Sequence, residues 1–253
     1  MKRSGHFENK SSPGKRKRIF MNQYRSEWKY LCTDGQLELL KSRLTGILAP
    51  DHHAADSNGV YQVHSLYFDD YKNSCAAGNE SGDGIRYKYR ARFYNDSLAT
   101  MHLERKEKQY GLGDKKTCSL TLDEYNALLT GDCGSTFWGT DKPLLKNFCA
   151  QIMMRGFSPK AVIDYERTAF VEPITHIRIT LDRDITASYD CEAFTQGSYV
   201  RFPLQGEHQN ILEVKFDEIL PGWLRHMIES LNLQQITFSK YYLGRKRLEN
   251  ILR

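Results

Sequence analysis

"IRYKYRARFYND", residues 85–96, alternates with a period of two. As a β-strand it puts Arg86, Lys88, Arg90 and Arg92 on one face and Tyr87, Tyr89, Ala91 and Phe93 on the other. The aromatic face is suited to packing against protein. Four cations in a row repel one another, and a strand facing water ordinarily mixes signs to avoid this. The basic face is either simply solvated or turned toward something polyanionic, and one strand does not decide between the two.

The other predicted strands repeat the arrangement. In "YRSEWKYL" (24–31), Tyr24, Ser26, Trp28 and Tyr30 oppose Arg25, Glu27 and Lys29. In "HLERKEK" (102–108), His102, Glu104, Lys106 and Lys108 fall together, opposite Met101 and Leu103. "HIRITLD" (176–182) sets Arg178 and Asp182 against Ile177, Ile179 and Leu181, and "ILEVKF" (211–216) sets Glu213 and Lys215 against Leu212, Val214 and Phe216. An ordinary sandwich with charges outside gives the same alternation. Its polar faces, however, would scatter Ser, Thr, Gln and both signs of charge, whereas here Arg and Lys dominate with a few Glu.

The chain also supplies helices to cover the apolar faces. "TDGQLELLKSRLTGIL" (33–48) is amphipathic, with Thr33 or Asp34 as N-cap. Thr121 with Glu124 makes a capping box for a helix through Leu129. Residues 142–155 read as a helix capped by Asp141 with Pro143 in its first turn, and "PGWLRHMIESLN" and "SKYYLGRKRLENIL" close the chain. "GNESGDG" (78–84) reads as a Gly-rich turn. The sum predicts an α+β fold: a large, mostly antiparallel sheet curled into a tunnel or barrel with a polar, basic interior and helices outside.

Such an interior constrains its contents. A buried unpaired cation costs several kcal/mol, so cation-lined walls call for water and an anionic ligand. Phosphate oxygens accept forked Arg bonds and point-charge Lys contacts. The few inward Glu suit a divalent cation, Mg²⁺ or Mn²⁺, between protein and phosphates.

Composition excludes other classes. The net charge is +5, but residues 1–18 carry seven Lys/Arg against one Glu, which leaves the rest at −1. The basicity belongs to a tail, and no nucleic-acid partner is expected. Residues 1–20 read as a disordered basic tail and 21–253 as one domain. The tail has no apolar core of a secretory signal, and no apolar run is long enough to span a membrane, although a membrane partner is compatible with the chain. The six cysteines form no C-x-x-C pair, which argues against a zinc cluster and for a reducing, cytoplasmic setting. "DHHAAD" (51–56) lies in a polar loop and is a poor metal site without partners.

Taken in order, "YRSEWKYL", "YRARFYN", "LERKEK…KK", "YERTAF", "IRITLDRDI", "LEVKFDE.LPGWL" and "FSKYYLG" resemble the VTC domain. That is the catalytic domain of the vacuolar transporter chaperone polyphosphate polymerases, in the triphosphate tunnel metalloenzyme superfamily. The likeness spans about residues 22–245. It implies a tunnel that binds ATP or another nucleoside triphosphate through its phosphates and, in polymerising members, moves the γ-phosphate onto inorganic polyphosphate with Mn²⁺ or Mg²⁺. Carried over by motif, the catalytic set is Lys29, Arg90, Arg92, Lys106, Arg167, Arg178 and Lys240. Lys88, Lys108, Lys116, Tyr165 and Lys215 would bind substrate, with Lys115 as the alternative to Lys116, and Glu213 with Glu27 would hold the metal. Where the wider superfamily has E-x-E-x-K, this chain reads Arg25-x-Glu27-x-Lys29, one carboxylate fewer. The readings that follow are an ATP-dependent polyphosphate polymerase, a triphosphatase using the same tunnel with Glu27 or Glu104 as base, and a non-catalytic polyphosphate-binding module.

Overall fold

The computed structural model describes residues 25–51, 53, 59–110, 112–172, 174, 177–217 and 219–252. The predicted tail, Tyr24 and most of the 51–56 loop lie outside them. In chain order the elements are β1 (Ser26–Thr33), α1 (Asp34–Thr45), β2 (Ala49–Pro50), β3 (Val60–Asp69), α2 (Ser74–Glu80), β4 (Ile85–Tyr94), β5 (Ser97–Gln109) and β6 (Leu112–Ser119). There follow α3 (Leu122–Thr130), α4 (Gly134–Gly139), α5 (Pro143–Arg155), β7 (Ser158–Glu172), β8 (Ile177–Ser188) and β9 (Phe202–Pro203). The chain ends with β10 (Gln209–Phe216), α6 (Gly222–Glu229), β11 (Gln234–Gln235) and α7 (Lys240–Ile251).

The strands form one antiparallel sheet in the order β11-β1-β10-β8-β7-β3-β4-β5-β6. It curls until its ends approach, and a single antiparallel bridge between Arg25 and Gly113 joins the β1 side to the β6 side. Helices cover the outside, as the alternation predicts. Tyr89 and Leu103 are buried in one core under α3 and α5, with Tyr89 stacked on Phe148 at 4.2 Å. Ile179 and Val214 are buried in a second core with Leu37, Leu40 and Leu44 of α1 and Leu224 and Ile228 of α6. Each such side chain stabilises the curl by about 1.5–3 kcal/mol.

Local signals behave largely as read. Thr33 caps α1 in a capping box with Gln36, and Thr121 does the same for α3 with Glu124. Two details differ. Pro143 takes the first position of α5, which makes Lys142 the N-cap without a side-chain bond, so Asp141 does not cap it. The expected turn at 78–84 begins inside a helix, because α2 runs through Glu80.

The start of α7 enters the barrel. Tyr241 stacks on Tyr67 at 5.0 Å and its hydroxyl donates to Asp69 Oδ2 at 2.7 Å. Tyr67 and Asp69 share their strand face with Ser65, which contacts the tunnel residue Arg92. Gly244 permits this approach, since a Cβ there would lie 2.4 Å from Ile163 Cδ1. Among the described residues no helix is long and apolar enough to cross a membrane.

Candidate functional site

Strand register assembles the interior. Between β4 and β5, Lys88 faces Lys106 and Arg90 faces Glu104; between β1 and β10, Glu27 faces Lys215 and Lys29 faces Glu213; between β10 and β8, Lys215 faces Arg178. Residues paired in an antiparallel register lie on one face, so these side chains share the concave side.

Three carboxylate-centred clusters result. Glu104 accepts from Arg90 Nε at 2.7 Å, with Arg90 Nη2 at 2.5 Å, Lys115 Nζ at 3.2 Å and Arg92 Nη1 at 3.8 Å. Arg92 also donates to Ser65 Oγ (2.9 Å) and the Tyr165 hydroxyl (3.0 Å), and Arg90 to the Tyr67 hydroxyl (2.8 Å). Burial disfavours the Glu104 carboxylate, yet Arg90, Arg92 and Lys115 outweigh it and hold the group well below the usual carboxylate range.

The second cluster has two carboxylates. Lys29 Nζ lies 2.9 Å from Glu27 Oε1 and 3.8 Å from Glu213 Oε2; Lys106 and Lys108 reach Glu27 Oε2 at 2.9 and 3.9 Å; Lys215 reaches Glu213 Oε1 at 2.5 Å. Burial and the adjacent Glu213 push the Glu27 carboxyl up, but Lys106, Lys29 and Lys215 prevail and keep it low. Glu213, also opposed by burial, is held well below its ordinary value by Lys215, Lys29, Lys106 and Lys240. Lys106 is itself drawn down to about 8, by burial and Lys215 against the pull of Glu27 and Glu213.

In the third cluster Asp182 takes a forked pair from Arg167 (2.6 and 2.8 Å) and a bond from Lys240 Nζ (2.6 Å). Despite full burial, those two cations bring its carboxyl down to about 2, with Glu213 opposing them. That last influence ties this cluster to the second. Arg178 stands at the edge of the set, paired with Asp51 at 2.5 Å and the Tyr61 hydroxyl at 3.2 Å.

The sequence-derived residues therefore converge, with one correction. Lys115 points at Glu104, whereas Lys116 pairs in register with Arg105, whose guanidinium lies 5.1 Å from the Tyr87 ring on the helix-covered side. Lys116 shares that side with Cys118, which rules out the preference for Lys116 as a tunnel residue. Sequence reasoning missed the seats of the cations: Ser65, Tyr67, Asp182 and the segment before α7, where the Phe238 carbonyl accepts from Lys29 (2.7 Å) and Ser239 Oγ from Lys88 (2.7 Å). Asp182 had a signal, since it lies on the charged face of its strand.

Glu27 and Glu213 fit a hard divalent cation. Mg²⁺ commonly takes one or two carboxylates and completes its shell with water and substrate phosphate oxygens. The Lys29 ammonium already stands between the two carboxylates, so positive charge is favoured there. Among the described residues no cluster of three or more His, Cys, Asp or Glu is found. Arg25, in place of another acid, pairs with Asp217 at 2.8 Å.

Comparison with known proteins gives a family and a fold. The family model described as the VTC domain matches residues 24–249. Among solved structures, a Hippeastrum protein, HpAC1, described as an adenylyl cyclase candidate with a dominant triphosphatase activity, superposes with a TM-score of 0.54. It is 12% identical and the match covers 88% of this chain and 95% of that one. A Bacillus halodurans protein, also described as an adenylate cyclase candidate, gives 0.49 at 12% identity over 87% and 96% of the two chains. The search of curated proteins gives no match.

Proposed function

The chain belongs to the VTC domain family, and on that premise we propose that it is an ATP-dependent polyphosphate polymerase, transferring the γ-phosphoryl of ATP to the end of a polyphosphate chain inside the tunnel. Phosphoryl transfer asks a protein chiefly for positioning and charge stabilisation. Arg90, Arg92, Arg167 and Arg178 would grip the phosphates, and Lys29, Lys106, Lys215 and Lys240 would balance charge along the chain. A Mg²⁺ or Mn²⁺ ion held by Glu213 and Glu27 would supply further neutralisation of the transferred group.

The observation that carries transfer over hydrolysis is the ion pairing of the carboxylates: Glu27 lies 2.9 Å from Lys29 and Lys106, Glu104 2.5 Å from Arg90 and Glu213 2.5 Å from Lys215. Glu27, Glu104 and Glu213 are all held below their ordinary range by surrounding cations, and a carboxylate so stabilised is a weak proton acceptor for an attacking water. A polyphosphate terminus is already ionised and needs none. Incubation with ATP and Mn²⁺ should yield a polyphosphate ladder on a gel with ADP and little free phosphate. Free phosphate equal to ADP, without a ladder, would make the enzyme a triphosphatase. Binding of polyphosphate without ADP formation would make it a binding module.

A further inference from the structure

Lys88 differs from the carboxylate-paired cations of the tunnel. Its Nζ donates to two neutral acceptors, Asn79 Oδ1 of α2 at 2.8 Å and Ser239 Oγ at the N-cap of α7 at 2.7 Å, and it forms no ion pair with a carboxylate among the described residues. Lys29, Arg90, Arg92, Lys106 and Lys108 each reach Glu27, Glu104 or Glu213. From the neighbouring elements Lys88 meets mostly positive charge: Lys106 across from it on β5, Lys29 on β1 and Arg86 on its own strand. On α7 it meets the Tyr241 ring at 5.7 Å, and on α2 the Cys75 thiol. On β3, Asp69 is engaged by the amides of Cys75 and Ala76 and by the Tyr241 hydroxyl.

We infer that Lys88 is a tunnel cation whose counter-charge is left to the substrate, so that a triphosphate or polyphosphate chain binds together with a proton taken up by the Lys88 amine. The inference rests on the tunnel holding phosphates, as proposed above. A buried ammonium among like charges favours its neutral form, and an anion at the same place reverses that preference. Burial, then Lys106 and Lys29, draw the Lys88 ammonium down to about 7. Rising pH therefore favours the neutral amine as long as no anion stands beside it. A phosphate arriving at hydrogen-bond distance makes the ammonium the stable form, one N–H bond is made with a proton from the buffer, and the bound complex carries one more positive charge. Lys88 in the complex is then a donor, not a base.

The test is calorimetric titration of the full chain with tripolyphosphate at pH 8 in two buffers of different ionisation heat, for the parent and for Lys88→Arg. Arginine stays charged at all working pH values, so it cannot take up a proton. The parent should take up close to one proton more per site than Lys88→Arg, while both bind. Equal proton uptake overturns the inference and leaves the tunnel reading intact. No binding by the parent overturns both. If Lys88→Arg does not fold, the parent's affinity between pH 7 and 9 decides, together with Lys88→Met. Parent affinity should weaken as pH rises even though tripolyphosphate gains charge, and Lys88→Met should show a shallower dependence. Parent affinity that is flat or strengthens, or a slope unchanged in Lys88→Met, excludes the linkage.

Discussion

Replacing Arg90 by Ala separates the two jobs that the structure gives this residue. In the free protein its guanidinium holds Glu104, whose side chain is only 4% exposed, with Nε and Nη2 both directed at Oε2. Breaking a buried pair by removing one partner costs about 3–5 kcal/mol. Here Lys115 at 3.2 Å and Arg92 at 3.8 Å remain beside Glu104 and offset part of that cost, so the expected loss is about 2 kcal/mol, or roughly 4–8 °C in Tm for a domain of this size. In the complex the same residue makes a charge-assisted contact worth about 1.5–3 kcal/mol, roughly ten- to a hundredfold in affinity for tripolyphosphate. The double variant Arg90→Ala/Glu104→Gln removes the orphaned charge, so stability should return while affinity does not. Arg86→Ala serves as control, because among the described residues Arg86 forms no ion pair and its guanidinium donates to the Asp83 carbonyl at 2.9 Å. Thermal melts and calorimetric titration with tripolyphosphate read both quantities. An Arg90→Ala variant that binds within about twofold of the parent, a shift too small for a lost charge-assisted contact, would refute the clamp. So would a double variant that regains affinity along with stability.

Glu213→Gln should abolish ADP formation from ATP while circular dichroism and tripolyphosphate binding persist, because it removes a metal-ligand charge and keeps the shape; turnover at the parent rate would move the metal site to Glu27. Lys115→Ala should weaken tripolyphosphate binding measurably and Lys116→Ala should leave it unchanged, a comparison that titration of the two variants settles. Acid should weaken the fold in a defined window. Asp182, Glu27, Glu104 and Glu213 have carboxyls lowered in the native state, so their stabilisation is present above their unfolded values near pH 4–4.5 and is lost as pH falls through the folded ones. Asp182 alone, moving from 3.8 to about 2, accounts for roughly 2 kcal/mol. Urea melts should be level from pH 7 to 5 and fall steadily below that; a fall already complete by pH 5 would contradict the assignment.

The period of two made the charged faces legible, because which residues share a strand face is a purely local property. That is why Arg90, Arg92, Lys106, Glu213 and Lys215 could be placed before any contact was known. Parity separates Lys115 from Lys116 as well: Cys118 packs toward the helices, and Lys116, two residues earlier, lies on that same face. Pairing lay beyond local reading. Whether Arg90 faces Glu104 depends on the register set by the turn between β4 and β5, and a one-residue slip would change every partner. Asp182 meets Lys240 only because α7 folds back into the barrel, a tertiary event that Gly244 permits but does not announce.

The central claim is that the basic face of "RYKYRARF" looks onto a phosphate chain. A crystal structure of the protein with bound tripolyphosphate tests it most directly. The claim predicts phosphate density within the curl of the sheet, with Arg90, Arg92, Lys106 and Lys215 at hydrogen-bond distance and the Lys88 ammonium turned from Ser239 toward a phosphate oxygen. Phosphates seated on the helix-covered side, or an interior in which Arg90, Arg92, Lys106 and Lys215 keep their carboxylates and no phosphate enters, would contradict it.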